Sequence, residues 1–265
     1  MASVQKRLRV IVFTQEEHFF IPNNIIKASK VCDIVEVVDN QCKNSAENKI
    51  GDMIKWFGFF QCAHIGIKTI HRILLSALDR ITGNRVTGGR CSIKDAANEI
   101  GAAYVVQSNI NDSSYVEHVR KLNPDLVISY SAPQVVKEPL LSLPRHGIIN
   151  VHGALLPEYR GLLPSFWYLY KNEKVGGATV HYMSNNIDDG AIIIQDSVDI
   201  SDCNTMFELM KRTKHLGGEL IVKAIQLIEK GEVKSRPNNL EEGSYFTWPT
   251  VEQAKEFRLN GKRLV

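Results

Sequence analysis

Asn150 and His152 flank a single valine in the run Ile148-Ile149-Asn150-Val151-His152. In extended backbone, residues two apart point to the same side. The step therefore presents an amide and an imidazole together while Val151 turns into the core. An amide N–H donates to negative charge, and an imidazole takes up or releases a proton near neutral pH. Spacing alone leaves a plainer reading open, in which both side chains only satisfy local hydrogen bonds at a strand end. Further on, Asn186-Ile187-Asp188-Asp189-Gly190 supplies two adjacent carboxylates, and Asp189, beside Gly190, reads as a solvent-exposed turn residue.

The elements that must position these residues alternate. Arg9 to Phe13 and Ile34 to Val38 are β-branched runs separated by a helical-length segment, the opening of a parallel βαβ unit. Ser92 is expected to cap a helix to Ile100, Tyr104 to Val106 to form a strand, and Ser113 or Ser114 to cap a helix ending near Leu122. Asn123-Pro124-Asp125 introduces a central strand, Leu126 to Ser129. Ile148 to Val151, Ala178 to Met183 and Ala191 to Ile194 are further strands. Pro164 opens a helix through Tyr170, and a long helix runs from about Thr205 to Lys230. The expected fold is α/β: a Rossmann-like, mostly parallel sheet flanked by helices, with a helical insertion at about 51–83. Sites in such sheets lie at the carboxyl ends of strands, where Asn150 and His152 fall. Residues 1–230 are expected to form the main domain and 231–265 a small C-terminal appendage, in which Thr250 and Gln253 have capping-box spacing.

With 44% hydrophobic and 23% charged residues, the 265-residue chain has the composition of an ordinary globular protein with one main core. Its net charge of +3 is spread along the sequence, so no nucleic-acid partner is expected. The five cysteines, Cys32, Cys42, Cys62, Cys91 and Cys203, are scattered with no CxxC pair, which argues for a reducing, cytoplasmic location and against a zinc site. Met1 to Arg9 carries Lys6, Arg7 and Arg9 but no cleavage site, and is not expected to be a secretory signal. Met53 to Leu78 is interrupted by charges and lacks the roughly 18 apolar residues of a spanning helix.

The stretch from Asn150 to Gln195 resembles the formyltransferase superfamily that uses 10-formyltetrahydrofolate, including the catalytic domain of methionyl-tRNA formyltransferases. The usual motifs there are Asn-Ile/Val-His-Pro-Ser-Leu-Leu-Pro-x-Tyr/Phe-Arg-Gly and, later, Leu/Ile-Asp-x-Gly-x-Ile/Val. This chain has Asn150-Val151-His152-Gly153-Ala154-Leu155-Leu156-Pro157-Glu158-Tyr159-Arg160-Gly161, then Gly177-Ala178-Thr179-Val180-His181, then Ile187-Asp188-Asp189-Gly190-Ala191-Ile192. Asn123-Pro124-Asp125-Leu126-Val127-Ile128 is similar as well, so the likeness covers about half of the chain. It implies a catalytic trio of Asn150, His152 and Asp188. Asn150 and a protonated His152 would stabilise the oxyanion formed when an amine attacks the formyl carbon, and Asp188 would orient His152 and help to remove the amine proton. It also implies a pterin site at Gln134, Val135 and Val136, with Ile148 as a wall and Asn186 and Ile187 nearby, and 10-formyltetrahydrofolate as co-substrate. His181 is expected to be a packed or hydrogen-bonded histidine.

Two departures stand out. Gly153-Ala154 replaces Pro-Ser, removing a rigid turn and a hydroxyl without touching the trio. Thr14-Gln15-Glu16-Glu17-His18 replaces the glycine-rich phosphate loop of purine-pathway members, which disfavours a ribose-phosphate substrate. Methionyl-tRNA enzymes carry a further C-terminal β-domain, whereas only Glu232 to Val265 follow Gly231 here; formyltetrahydrofolate hydrolases carry an N-terminal regulatory domain, whereas this sheet begins by Arg9. In layout the chain agrees best with sugar N-formyltransferases, which modify the amine of nucleotide-linked deoxysugars for surface polysaccharides. Tyr159, Trp167, Tyr168, Tyr245, Phe246 and Trp248 are candidates to stack on a base or sugar, or to pack in the core. A non-catalytic folate-binding protein is the reading from another class, and the intact trio argues against it.

The segment Gly51 to Ile81 reads as a single or broken amphipathic helix, with Ile54, Phe57, Ile65, Ile70, Leu74 and Leu78 at helical spacing. A lid, a homodimer contact and a peripheral membrane contact, the last through Trp56-Phe57-Gly58-Phe59-Phe60, are the roles open to it.

Overall fold

The computed structural model describes residues 7–42, 49–83 and 91–265. Lys6 and most of the stretch weighed above as a signal lie outside the described residues. Strands β1 (Arg9–Thr14), β2 (Asp33–Asn40), β3 (Ala103–Gln107), β4 (Leu126–Tyr130) and β5 (Ile148–His152) pair in parallel, with β1 and β4 at the centre. Helices α1 (Ile21–Ser29), α4 (Ile93–Ile100) and α5 (Ser113–Leu122) make the crossovers. Both central strands are continuous apolar runs because both of their faces are covered. Val10, Val12 and Ile128 pack with α1 and α4, while Ile11, Phe13 and Val127 pack with α5. The chain winds outward from β1 through β2 to β3 and then returns to β4 on the other side of β1, so the crevice beyond the ends of β1 and β4 is a topological switch point.

Past β5 the parallel winding stops. Two strands, β7 (Val175–Tyr182) and β8 (Ile192–Asp199), complete a seven-stranded sheet of order β3-β2-β1-β4-β5-β7-β8, and both pair antiparallel. The connection from Met183 to Ala191 is too short for a crossover helix, which takes about a dozen residues or more. Helix α7 (Met206–Lys230) lies over this end of the sheet, capped by Thr205 at its start and by left-handed Gly231 at its end. Ser92 caps α4 as expected. For α5 the cap is Asp112 and not Ser113 or Ser114: its carboxylate accepts from Ser114 N at 2.9 Å, and an anion suits a helix N-terminus better than a hydroxyl does.

The insertion forms α2 (Lys49–Phe57) and α3 (Phe59–Thr82), broken at Gly58, whose φ of 83° only glycine adopts freely. The broken helix is as expected, and its apolar residues divide between inside and outside. Phe57 is buried and Ile65 packs against it, whereas Ile54, Ile70, Leu74 and Leu78 point outward. Helix α6 (Pro164–Tyr170), α2 and α8 (Val251–Leu259) share a second aromatic cluster. There Phe257 stacks on Phe166 at 4.6 Å and Trp248 on Trp56 at 5.2 Å. A short pair, β6 (Arg160–Gly161) with β9 (Tyr245–Phe246), ties the C-terminal segment to the motif loop, and the Thr250–Gln253 capping box is formed. Among the described residues no helix is long and apolar enough to cross a membrane.

Candidate active site

The carboxyl ends of β4 and β5 open on a cleft of about 520 Å³, within the usual range for small-molecule sites. Asn150, His152, His181 and Asp188 line one wall of it. Asn150 and His152 arrive there from β5, as the alternation requires. Asp188 arrives from the β7–β8 turn, which is drawn in because Gly190 leaves no room for a side chain against the Tyr182 carbonyl. Asn238 Nδ2 donates to the Asp188 carbonyl at 2.9 Å and fixes the turn from the other side. The φ of Asp188 is 52°, a left-handed conformation that aspartate tolerates better than most residues.

Asp188 is the hub of the cluster. Its carboxylate lies 3.4 Å from His152 Nδ1 and 3.5 Å from His181 Nε2, and it accepts from Gly161 N at 3.0 Å. Burial pushes this carboxyl up, but the charge of His152, the hydrogen bond and charge of His181 and the Gly161 N–H together outweigh it. They hold the group well below the usual carboxylate range. His152 is itself buried, and its Nε2 stands 2.7 Å from the Tyr159 carbonyl. Both ring nitrogens face acceptors, so only the doubly protonated ring donates to both. Asn150 Nδ2 lies 3.2 Å from His181 Nε2 and 3.4 Å from Asp188 Oδ1, long contacts that an entering acceptor atom can replace.

His181 is the member that the sequence reading did not place in the site. It stands directly opposite Asn150 in the β5–β7 register, and its Nδ1 donates to the Tyr182 carbonyl at 2.8 Å, turning Nε2 toward the trio. No local signal marks it, since its place depends on β7 pairing with the distant β5. Asp189 is not simply exposed: it accepts from Asn186 Nδ2 at 2.6 Å and from Ser184, and so braces the turn beside Asp188. Where Gly153-Ala154 replaces Pro-Ser, Thr179 holds the loop, donating to the Ala154 carbonyl at 2.6 Å and accepting from Leu156 N at 3.1 Å.

Of the residues expected around a pterin ring, Gln134, Val135, Asn186 and Ile187 line the cleft, with Val135 and Ile187 presenting exposed apolar side chains. Val136 and Ile148 do not line it; they lie in the core beneath, in the cluster with Val127. The Gln134 side chain braces its loop, accepting from Ile110 N and Asn40 Nδ2 at 3.0 Å each. The aromatic candidates mostly pack. Tyr159 stacks on Tyr168 at 4.1 Å and Trp167 on Phe246 at 4.7 Å, while Trp248 both stacks on Trp56 and borders the cleft.

At the opposite wall, the N-terminus of α1 is already occupied by the chain's own anion. Glu17 accepts from Phe19 N at 2.9 Å and from Phe20 N and Ile21 N at 2.7 Å each. A phosphate would need these same N–H groups. Lys214, from α7, reaches the cleft and donates to Ser131 Oγ at 2.6 Å.

Comparison with known proteins identifies the family and the fold. The Formyl transferase family model matches residues 91–225. The chain is 32% identical over 186 residues to a methionyl-tRNA formyltransferase of Alkaliphilus oremlandii, a match covering 69% of this chain and 60% of that protein. It therefore spans less than two thirds of that relative's length. Among solved structures, glycinamide ribonucleotide transformylase 1 from Symbiobacterium toebii superposes with a TM-score of 0.60 at 17% identity, covering 85% of this chain and 89% of that one. A sugar N-formyltransferase from Shewanella sp. gives 0.56 at 18% identity, covering 96% and 87%. At these identities the likeness speaks for the fold.

Proposed function

The chain belongs to the formyl transferase family, and on that footing we propose that its cleft moves the formyl group of 10-formyltetrahydrofolate onto a primary amine, that of a nucleotide-linked amino sugar. The observation that carries the transfer is the convergence of Asn150, His152 and Asp188 from two separate segments on one wall of the cleft. The cleft suits the co-substrate: its volume is of the right order, and Val135 and Ile187 offer apolar surface for a flat ring beside the polar cluster.

The co-substrate supplies an activated formyl carbon. Asn150 Nδ2–H and the charge on His152 stabilise the negative charge that develops on the formyl oxygen as the amine adds, in a largely buried setting where such interactions are strong. Asp188, ionised at neutral pH, faces His152 Nδ1 at 3.4 Å and orients the ring. A carboxyl held so low is a weak base. Its larger effect is therefore electrostatic, and it takes the amine proton only in transit to water. The new C–N bond forms, the bond from the formyl carbon to the folate nitrogen breaks, and that nitrogen takes up a proton.

The acceptor is argued by exclusion among the family's amines. Glu17 fills the helix terminus that a ribose phosphate would use, and the net charge of +3 includes no basic block suited to tRNA. A methionyl-tRNA acceptor is the second reading, favoured by the 32% identity to a protein of that name. Incubation with 10-formyltetrahydrofolate and a panel of nucleotide-linked 3- and 4-amino sugars, glycinamide ribonucleotide and methionyl-tRNA separates them. A formamido sugar is the expected product, and formylation of methionyl-tRNA alone would reject the sugar assignment.

A further inference from the structure

Helix α3 is amphipathic the wrong way round. The side it turns toward the protein is held largely by polar contacts. Gln61 Oε1 accepts from Leu264 N at 2.8 Å, the Lys68 ammonium sits 4.5 Å from the Phe207 ring, Arg72 Nε donates to the His18 carbonyl at 3.3 Å, and Ser76 Oγ donates to Asp95 at 2.9 Å. The side it turns outward is mainly apolar, with the exposed His64 and His71 along one border: Phe60 is 86% exposed, Ile67 66%, Ile70 59%, Leu74 63% and Ile81 82%. Together with Phe59, Ile73 and Leu78 these side chains present on the order of 1,000 Å² of apolar surface. A monomer's largest patch is usually ~300–600 Å², and each partner in a standard protein interface buries about 800 Å².

Among the described residues nothing covers that face. Outside the described residues the sequence reads Met1 to Lys6, Lys43 to Asn48 and Asn84 to Arg90, in which Met1 and the two valines Val4 and Val86 are the only sizeable apolar residues. The residues along this face also have an order that a lipid surface does not require. Phe60, Ala63, Ile67, Ile70, Leu74, Ala77 and Ile81 alternate at steps of three and four, the a/d seam of a coiled coil. The residues opposite that seam, Ile65, Arg72 and Asp79, are those turned inward onto their own protein.

We propose that α3 pairs antiparallel with α3 of a second copy of this chain, making the insertion a homodimer contact. Antiparallel pairing explains the sizes along the seam. Phe60 meets Ala77 of the second copy, Ala63 meets Leu74 and Ile67 meets Ile70, so bulky residues face small ones in the outer layers. A parallel pair would instead stack phenylalanine on phenylalanine and alanine on alanine, crowding one layer and emptying the next.

Sedimentation velocity of the full chain at micromolar concentration is expected to show a dimer. The Ile67→Glu, Leu74→Glu protein is expected to be a monomer with unchanged circular dichroism, since both side chains are already exposed. Orientation is read by disulfide trapping in a Cys42→Ser, Cys62→Ser background, which removes the partly exposed native thiols. A mixture of Phe60→Cys and Ala77→Cys proteins should cross-link, and neither protein should do so alone. A monomeric wild type, a dimer indifferent to the two glutamates, or Phe60→Cys linking to itself would overturn the proposal. So would a monomeric wild type that floats with anionic vesicles, which would assign the face to a lipid surface.

Discussion

Asp188 occupies the left-handed region, which asparagine adopts as readily as aspartate, so Asp188→Asn removes a charge and leaves the turn in place. Without it, His152 Nδ1 loses its anionic partner, while the Tyr159 carbonyl still accepts from Nε2. The substitution is expected to lower kcat by about 10²–10³-fold with little change in KM; a loss confined to KM would show that Asp188 acts in binding. The same carboxyl gives a stability prediction with a definite sign. Because its folded value lies below the ordinary one, its contribution is fully present above about pH 4 and is lost as the pH falls from there toward the folded value. Wild-type melting temperature should therefore fall more steeply below about pH 4 than that of Asp188→Asn. Parallel curves would mean that the carboxylate is not stabilised in the fold.

At the scale of elements, Glu17 accepts three backbone N–H groups at the start of α1, so Glu17→Ala is expected to cost about 1–2 kcal/mol of unfolding free energy. Urea denaturation measures that cost, and the variant should also gain stabilisation by inorganic phosphate that the wild type lacks. An unchanged midpoint in both respects would contradict the role given to this helix terminus. The caps at Ser92 and Thr250 were legible in the sequence because capping depends on a side chain and its own next turn. So was the step from Asn150 to His152, fixed by the two-residue strand period. His181 was not, since its place depends on β7 returning antiparallel beside β5, a pairing between distant segments. Val136 and Ile148 show the converse: the family resemblance implied a pterin site there, and both lie in the core beneath the cleft. For the insertion, the helical period marked which residues share a face, but not whether that face turns inward or outward.

For the whole molecule, association through α3 links folding to protein concentration. The wild-type melting temperature should rise as the protein is concentrated, and that of Ile67→Glu, Leu74→Glu should not. Differential scanning calorimetry over a range of concentrations reads this directly, and two equally concentration-independent curves would deny the dimer. No residue of α3 lines the cleft. The claim on which the rest depends is that this cleft transfers a formyl group by way of Asn150, His152 and Asp188. Its most direct test is the initial rate of amine formylation from 10-formyltetrahydrofolate by the wild type and by Asn150→Ala, with a nucleotide-linked amino sugar as acceptor. The wild type should turn over, and Asn150→Ala should lose about 10²–10³-fold in kcat, as enzymes do when one oxyanion donor is removed. Full activity in Asn150→Ala would contradict the account.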